Sequence, residues 1–215
     1  MKDITLYFAD ITPLTEPEKF RQIYRNLSAE RKQKADTLQD FNHKCQSVGA
    51  GILLERALTS QGLNLADFEF HYQANHKPYL QNCPFHFNLS HSGKYVICAL
   101  STEPVGCDVE QIRPVDIKIA KRFFAPGEYQ QILNQTNPTK QTELFFTFWV
   151  LKESFIKALG TGLHTPLNSF EVTLEPKISI PQNTPYVFSM PAFDPAYKCA
   201  VCGTSKNIQI SEIKF

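Results

Sequence analysis

The 215-residue chain has no apolar run approaching the roughly 18 residues that a membrane-spanning helix needs. Its opening, MKDITLYFAD, lacks the long apolar core of an export signal and carries acidic residues early; it reads as a strand. Neither sign of charge is in surplus. The 22 Lys and Arg residues face 21 Asp and Glu residues, for a net charge of +1. That balance gives no case for a nucleic-acid partner or a membrane surface, so any phosphate chemistry must come from local clusters. There is no Walker A loop and no G-x-G-x-x-G, hence no usual nucleotide loop. There is no G-x-S-x-G either, so the neighbouring Ser90 and His91 do not form a hydrolase elbow. Cys199-x-x-Cys202 has no second pair and no nearby His, as a zinc site would require. All six cysteines are expected as reduced structural thiols of a cytoplasmic protein.

What is present is an ordinary globular composition, 42% hydrophobic and 20% charged, enough for one large domain or two small ones. Residues 3–9 read as a strand, and 17–27 as a helix with Phe20, Ile23, Tyr24 and Leu27 at helical spacing. Ser28 is a fair N-cap for the stretch that follows. Residues 47–62 form a long helix stopped by Gly62. Residues 68–73 alternate as a strand, 77–80 make a turn, and 85–100 hold two strands with Ser90 and His91 at the turn between them. Residues 95–110 read as a β-hairpin. Helices are expected at 115–124 and 126–133, a polar loop at 134–141, and then a long helix. Strands at 170–174, 186–190, 197–203 and 208–215 close the chain. The mixed order, without regular βαβ alternation, predicts an α+β fold, with a plausible boundary that gives lobes 1–101 and 102–215. Each lobe has one long helix and several antiparallel strands.

Two segments carry the chemistry. In GCDVE, Asp108 and Glu110 share one face of a strand, about 7 Å apart. They repel unless something positive lies between or above them, and a divalent cation with oxygen ligands would serve. On its own the pair reads sooner as a solvent-facing strand edge with two ordinary acids. The second segment, FFTFWVLKESFIKALGTGL at 145–163, is strongly apolar yet contains Lys152, Glu153 and Lys157. Leu144, Phe148, Leu151, Phe155 and Leu159 form one stripe; Glu153 lies opposite it, with Lys157 one turn on. Trp149 and Ile156 flank Glu153, so the seam is expected to be partly buried, with Glu153 as a third ligand and Lys157 on a phosphate. Lys152 points elsewhere, toward an ion pair or a phosphate.

Together, VGCDVE and, about forty residues on, FWVLKESFIKALGTGL resemble the paired signature of the 4′-phosphopantetheinyl transferases, G-x-D-x-E followed by W-x-x-K-E-(small)-x-x-K. The length and the upstream KPYL and NLSHSG are similar to the long type that activates nonribosomal peptide synthetases, and the likeness runs from about residue 28 to residue 175. The resemblance implies two similar α+β lobes, each a long helix on a small antiparallel sheet, with coenzyme A in the cleft between them. It implies transfer of the phosphopantetheine arm to a serine of an apo acyl or peptidyl carrier protein, releasing adenosine 3′,5′-bisphosphate. Asp108, Glu110 and Glu153 would hold Mg²⁺. Glu153, Lys157 and, as a second candidate base, Glu128 would be catalytic. Arg31, Lys34, Lys77, Pro78, Ser90, His91 and Lys157 would contact coenzyme A. Gln46 and Ser47 depart from the basic group that similar chains carry there. The carrier would dock near Ile117 and Phe123, and two lobes in one chain suit a monomer. The rival readings are a non-catalytic binding module for coenzyme A or a carrier protein, and a metal-dependent phosphohydrolase.

Overall fold

A computed structural model describes residues 3–180 and 184–215. Strand β1 (Ile4–Asp10) is followed by helices α1 (Pro17–Arg25), α2 (Ala29–Asp36) and α3 (Phe41–Ser60). Ser28 caps α2 by accepting the Arg31 amide, as its place in the sequence implies. Helix α3 begins earlier than its apolar pattern suggests because Asp40 accepts the His43 amide at 2.9 Å and caps it there. Strands β2 (Phe70–Tyr72) and β3 (Pro78–Leu80) pair as a hairpin, so residues 78–80 are strand rather than turn. Strands β4 (His86–Ser92), β5 (Tyr95–Ser101) and β6 (Gly106–Gln111) follow, then helices α4 (Ala120–Phe123), α5 (Pro126–Leu133) and α6 (Pro138–Leu159). Helix α6 takes in residues expected as loop, because Asn137 caps it and Pro138 occupies its first turn. Strands β7 (Val187–Ser189), β8 (Tyr197–Gly203) and β9 (Ile208–Glu212) complete a mixed α+β fold. No helix among the described residues is long and apolar enough to cross a membrane.

Two sheets organise the chain, in the orders β4-β5-β1-β9 and β6-β8-β7. Strand alternation distributes the core among three layers. Val96, Cys98 and Leu100 of β5 pack toward α3, with Leu53, Leu54 and Leu58. The intervening Tyr95, Ile97 and Ala99 pack with Ile4 and Leu6 of β1 against Cys107, Val109, Cys199 and Val201 of the second sheet. Ala200 and Cys202 of β8 face the other way, onto Phe148, Leu151 and Phe155 of α6. The order is therefore helix, sheet, sheet, helix. Cys199 and Cys202 lie in different cores, and all six cysteines are free.

Several sequence expectations need correcting. Residues 95–110 are not a hairpin: both edges of β5 are taken, by β4 and β1, and β6 crosses to the second sheet to pair with β8. Ser90 and His91 lie within β4, not on the turn, which falls at Gly93 and Lys94. Strand β9 lies beyond the expected boundary at 101, yet it pairs in parallel with β1 in the first sheet. Residues 170–174 form no strand; they make a single bridge, Thr173 to Ser179. Their backbone is engaged elsewhere, by the ion pair described next.

Lys152 and Glu128 form a fully buried ion pair of 2.8 Å between α6 and α5. Lys152 also donates to the carbonyls of Leu167 (2.7 Å) and Phe170 (2.5 Å) and lies over the Phe170 ring. Glu128 accepts the amides of Ala125 (2.8 Å) and Val172 (2.6 Å). Burial raises the Glu128 pKa and lowers that of Lys152, and each partner offsets the other's cost. Every charged atom of the pair is hydrogen-bonded, which is what makes such burial tolerable. This accounts for Lys152 and withdraws Glu128 as a candidate base: its carboxylate is sealed from solvent and committed to holding residues 167–172 on α6. Lys152→Met, which strands the Glu128 charge, is expected to cost about 3–5 kcal/mol in chemical denaturation. Lys152→Met with Glu128→Leu should recover most of that loss. A double variant no more stable than the single one would contradict this account.

Candidate active site

The signature residues meet where the edges of the two sheets face each other. Strand β6 is an edge strand, and the amides of Cys107, Val109 and Gln111 point away from β8. Neighbouring β4 supplies side chains, not backbone, to meet them. Asn88, Ser90 and Ser92 alternate onto one face of β4. Asn88 Oδ1 accepts the Cys107 amide (2.8 Å), Ser90 Oγ the Val109 amide (3.4 Å) and Ser92 Oγ the Gln111 amide (3.1 Å). The two hydroxyls then donate onward. Ser90 gives its proton to Asp108 Oδ1 at 2.8 Å, and Ser92 to Glu110 Oε2 at 2.8 Å.

Helix α6 reaches the same place because Gly106 lets it in. A Cβ at Gly106 would lie 2.1 Å from the Ser154 carbonyl oxygen and 2.3 Å from the Ala158 nitrogen, so glycine alone fits. The close approach carries Lys157 Nζ to 2.6 Å from Asp108 Oδ1, 3.2 Å from Ser90 Oγ and 3.3 Å from the Cys107 carbonyl. Burial works against the Lys157 charge, but Asp108 outweighs it, and its pKa lies above the ordinary lysine value. Glu153, one turn back on α6, is half-buried. Burial raises its pKa first; the Asp108 and Glu110 charges raise it further, and Lys157 opposes them. Burial also raises Glu110, with Ser92 pulling the other way. The three carboxylates thus feel one another. Asp108 Oδ2 is buried and has no hydrogen-bond partner, the condition in which a carboxylate oxygen needs a cation or a donor. Among the described residues no three His, Cys, Asp or Glu side chains are grouped closely enough to hold a metal ion by themselves.

The residues expected to contact coenzyme A fall into three places. Ser90 is inside the cluster; His91, next along β4, keeps an exposed edge, and burial and the Lys157 charge push its pKa down. Arg31 and Lys34 line a small cavity of about 30 Å³ with Phe70, Tyr72, Pro78 and Phe87, and Arg31 lies over the Phe70 ring at 5.4 Å. Lys77 is not directed at the carboxylates. Its amine donates to the Val105 carbonyl (3.2 Å) and the Lys157 carbonyl (2.5 Å), and burial lowers its pKa to about 8. It therefore ties the β2–β3 hairpin to the start of β6 and the last turn of α6. Gln46, at a departure from the signature, is also committed: it donates to the Gly93 carbonyl at 3.0 Å and steadies the β4–β5 turn. Sequence reasoning missed Asn88 and Ser92. Their signal was the N-x-S-x-S alternation with Ser90, which reads the same in any polar strand face.

Comparison with known proteins places this arrangement in context. The family model described as the 4′-phosphopantetheinyl transferase superfamily matches residues 104–205, the span from β6 through β8. The 4′-phosphopantetheinyl transferase Sfp of Bacillus subtilis (strain 168) is 38% identical over 200 residues, covering 88% of this chain and 87% of its own. The 4′-phosphopantetheinyl transferase gsp of Aneurinibacillus migulanus is 32% identical over 211 residues, covering 95% and 88%. The L-aminoadipate-semialdehyde dehydrogenase-phosphopantetheinyl transferase of Rattus norvegicus is 29% identical over 192 residues, covering 82% of this chain and 62% of its own.

The crowding of the acids has a consequence for stability. A carboxyl whose pKa is raised on folding binds its proton more tightly in the folded state, so it costs stability as pH climbs from its unfolded pKa through its folded one. Glu153 is such a group. Without divalent metal, Glu153→Gln should melt higher than the parent at pH 8, by roughly 1–3 °C. The gain should vanish below about pH 4, where both states are protonated. A parent that melts higher at pH 8 would show that the acids do not repel.

Proposed function

The chain belongs to the 4′-phosphopantetheinyl transferase superfamily, and from that premise we propose that it moves the 4′-phosphopantetheine arm of coenzyme A onto a serine of an apo acyl or peptidyl carrier protein. The observation that carries the reading is the joint itself: Asp108, Glu110, Glu153 and Lys157 are brought together from two elements, with one buried Asp108 oxygen left without a partner. It acts in the cytoplasm as a monomer. Coenzyme A lies in the cleft between two similar lobes, residues 1–101 and 102–215 with β9 returned to the first. Its adenosine end is by Arg31, Lys34 and Pro78, and its phosphates are by Ser90, His91 and Lys157.

Asp108, Glu110 and Glu153 would hold Mg²⁺. The donor set is all oxygen, as that ion prefers, and the ion keeps several waters in its own shell. When bound, the ion would neutralise charge on the diphosphate.

The reaction asks for position and charge more than for covalent chemistry. The serine hydroxyl oxygen of the carrier attacks the β-phosphorus of coenzyme A. A new O–P bond forms, the anhydride P–O bond breaks, and adenosine 3′,5′-bisphosphate leaves with the bonding pair. Lys157 stays cationic because Asp108 stabilises it, and it faces the charge that grows on the leaving oxygens. Glu153 takes the serine proton; its raised pKa makes it the better acceptor. Ser90 fixes the Asp108 carboxylate from the side opposite the free Oδ2.

The carrier docks beside α4. Ile117 and Phe123 are half-buried there, whereas Ile119 is exposed at 41% in a segment that also carries exposed Arg113, Asp116, Lys118, Lys121 and Arg122. An exposed apolar residue in a segment with four cations and one acid suits an acidic helical partner.

Incubation of this protein with coenzyme A, Mg²⁺ and a panel of apo carriers should add the phosphopantetheine mass to at least one of them. EDTA should prevent the gain and Mg²⁺ should restore it. Asp108→Asn, which preserves shape and removes charge, should lower turnover at least about 100-fold. No mass gain on any carrier, or near-normal turnover by Asp108→Asn, defeats the reading. For docking, Ile119→Asp should raise KM for the carrier about tenfold and leave KM for coenzyme A unchanged. A rise in the coenzyme A constant instead would move the docking face elsewhere.

A further inference from the structure

We propose that Ser92 is a positioning residue for Glu110, the last tooth of a three-residue comb on β4 that converts the backbone register of β6 into the aim of its acidic side chains. The inference rests on the reading of Asp108 and Glu110 as working acids of the site.

A serine hydroxyl has one proton and two lone pairs. At Ser92 a lone pair is taken by the Gln111 amide at 3.1 Å, which fixes where the oxygen sits. The one proton is then given to Glu110 Oε2 at 2.8 Å. Ser90 repeats the pattern two residues earlier, with the Val109 amide and Asp108 Oδ1. Each hydroxyl accepts from the residue that follows the acid and donates to the acid itself. The comb therefore reads the position of the strand and points the carboxylate of the preceding residue. Asn88, which accepts the Cys107 amide at 2.8 Å, sets the register at the start.

The two acids differ in how much they depend on this device. Asp108 is short, 4% exposed, and also held by Lys157 at 2.6 Å. Glu110 has one more methylene, is half-buried, and lies nearer the open end of the joint. A longer side chain there has more rotamers to lose. Ser92, itself 6% exposed, is rigid enough to select one of them. No gain or loss of a ligand contact is involved: Ser92 acts through Glu110.

The test pairs kinetics with amide hydrogen exchange on the full chain. Ser92→Ala should lower turnover on the order of tenfold, as removing an outer partner of a working carboxylate does. KM for coenzyme A should stay within about twofold of the parent, since the ligand is not touched. In the metal-free protein the Gln111 amide should exchange faster by on the order of tenfold, since its acceptor is gone. Ser92→Thr, which keeps the hydroxyl, should restore both turnover and protection. Should the alanine variant fail to fold, Ser92→Cys, with similar size and a much weaker donor, is read in the same way. Parental turnover, a change confined to KM, or lost turnover with Gln111 still protected would each overturn the proposal. If the parent itself transfers nothing, the functional reading fails first, and Gln111 exchange still decides whether Ser92 holds β6.

Discussion

An unpaired strand edge is the constraint around which this molecule is built. Strand β6 carries three outward amides into the joint between two sheets, two of them buried and that of Gln111 part-buried, and each needs an acceptor there. Another strand could have paired with them. Here the facing strand meets them with side chains, and that substitution has chemical consequences. A backbone carbonyl would accept and do nothing more. A hydroxyl accepts and still has a proton to give, so satisfying the edge and orienting the acids become one act. The same edge presents the carbonyls of Val105 and Cys107, which take the amines of Lys77 and Lys157. Site and joint are one network, and a change in the spacing of the sheets would be felt at every carboxylate.

The long helix completes the joint from behind, and it too rests on a charge placed out of water. Lys152 faces away from the reactive cluster, paired with Glu128 and bonded to two carbonyls. Lys157, five residues on, faces into it. The first lysine fixes the helix against the segment at 167–172; the second uses the position so obtained. One apolar helix thus tolerates a buried and a half-buried cation for different reasons: Lys152 because Glu128 and two carbonyls hold it out of water, Lys157 because Asp108, Ser90 and the Cys107 carbonyl hold it while part of its side chain stays exposed.

Much of this was legible in the sequence. The spacing of Asp108 to Glu110 and of Glu153 to Lys157 follows from strand and helix periods, so their shared faces could be read directly. The long helices and most strands follow from apolar periodicity and caps. What was hidden involves partners far apart in the chain. Glu128 stands as a candidate base until Lys152, 24 residues later, is found paired with it at zero exposure. Residues 170–174 look like a strand because Phe170 and Val172 alternate inward, but their amide and carbonyl groups are already committed to that pair. Residues 95–110 look like a hairpin because both arms are apolar, and local pattern does not record that β5 already has two neighbours. The anchoring of Lys77 was hidden for a related reason: its sequence position marks a basic residue near the site but not the two carbonyls it bonds.

Strand β9 carries a different kind of consequence. It lies in parallel beside β1, although nearly the whole chain separates them. During synthesis, β1, β5 and β4 can assemble with α3 early, but the outer edge of β1 stays bare until residues 208–212 have emerged. The first sheet is thus finished after the second has been made, so the two halves cannot mature as independent units in order of translation. Until then the emerging chain presents one unpaired backbone edge of β1, the kind of edge that pairs with other chains, and that edge closes only after the second half has been translated.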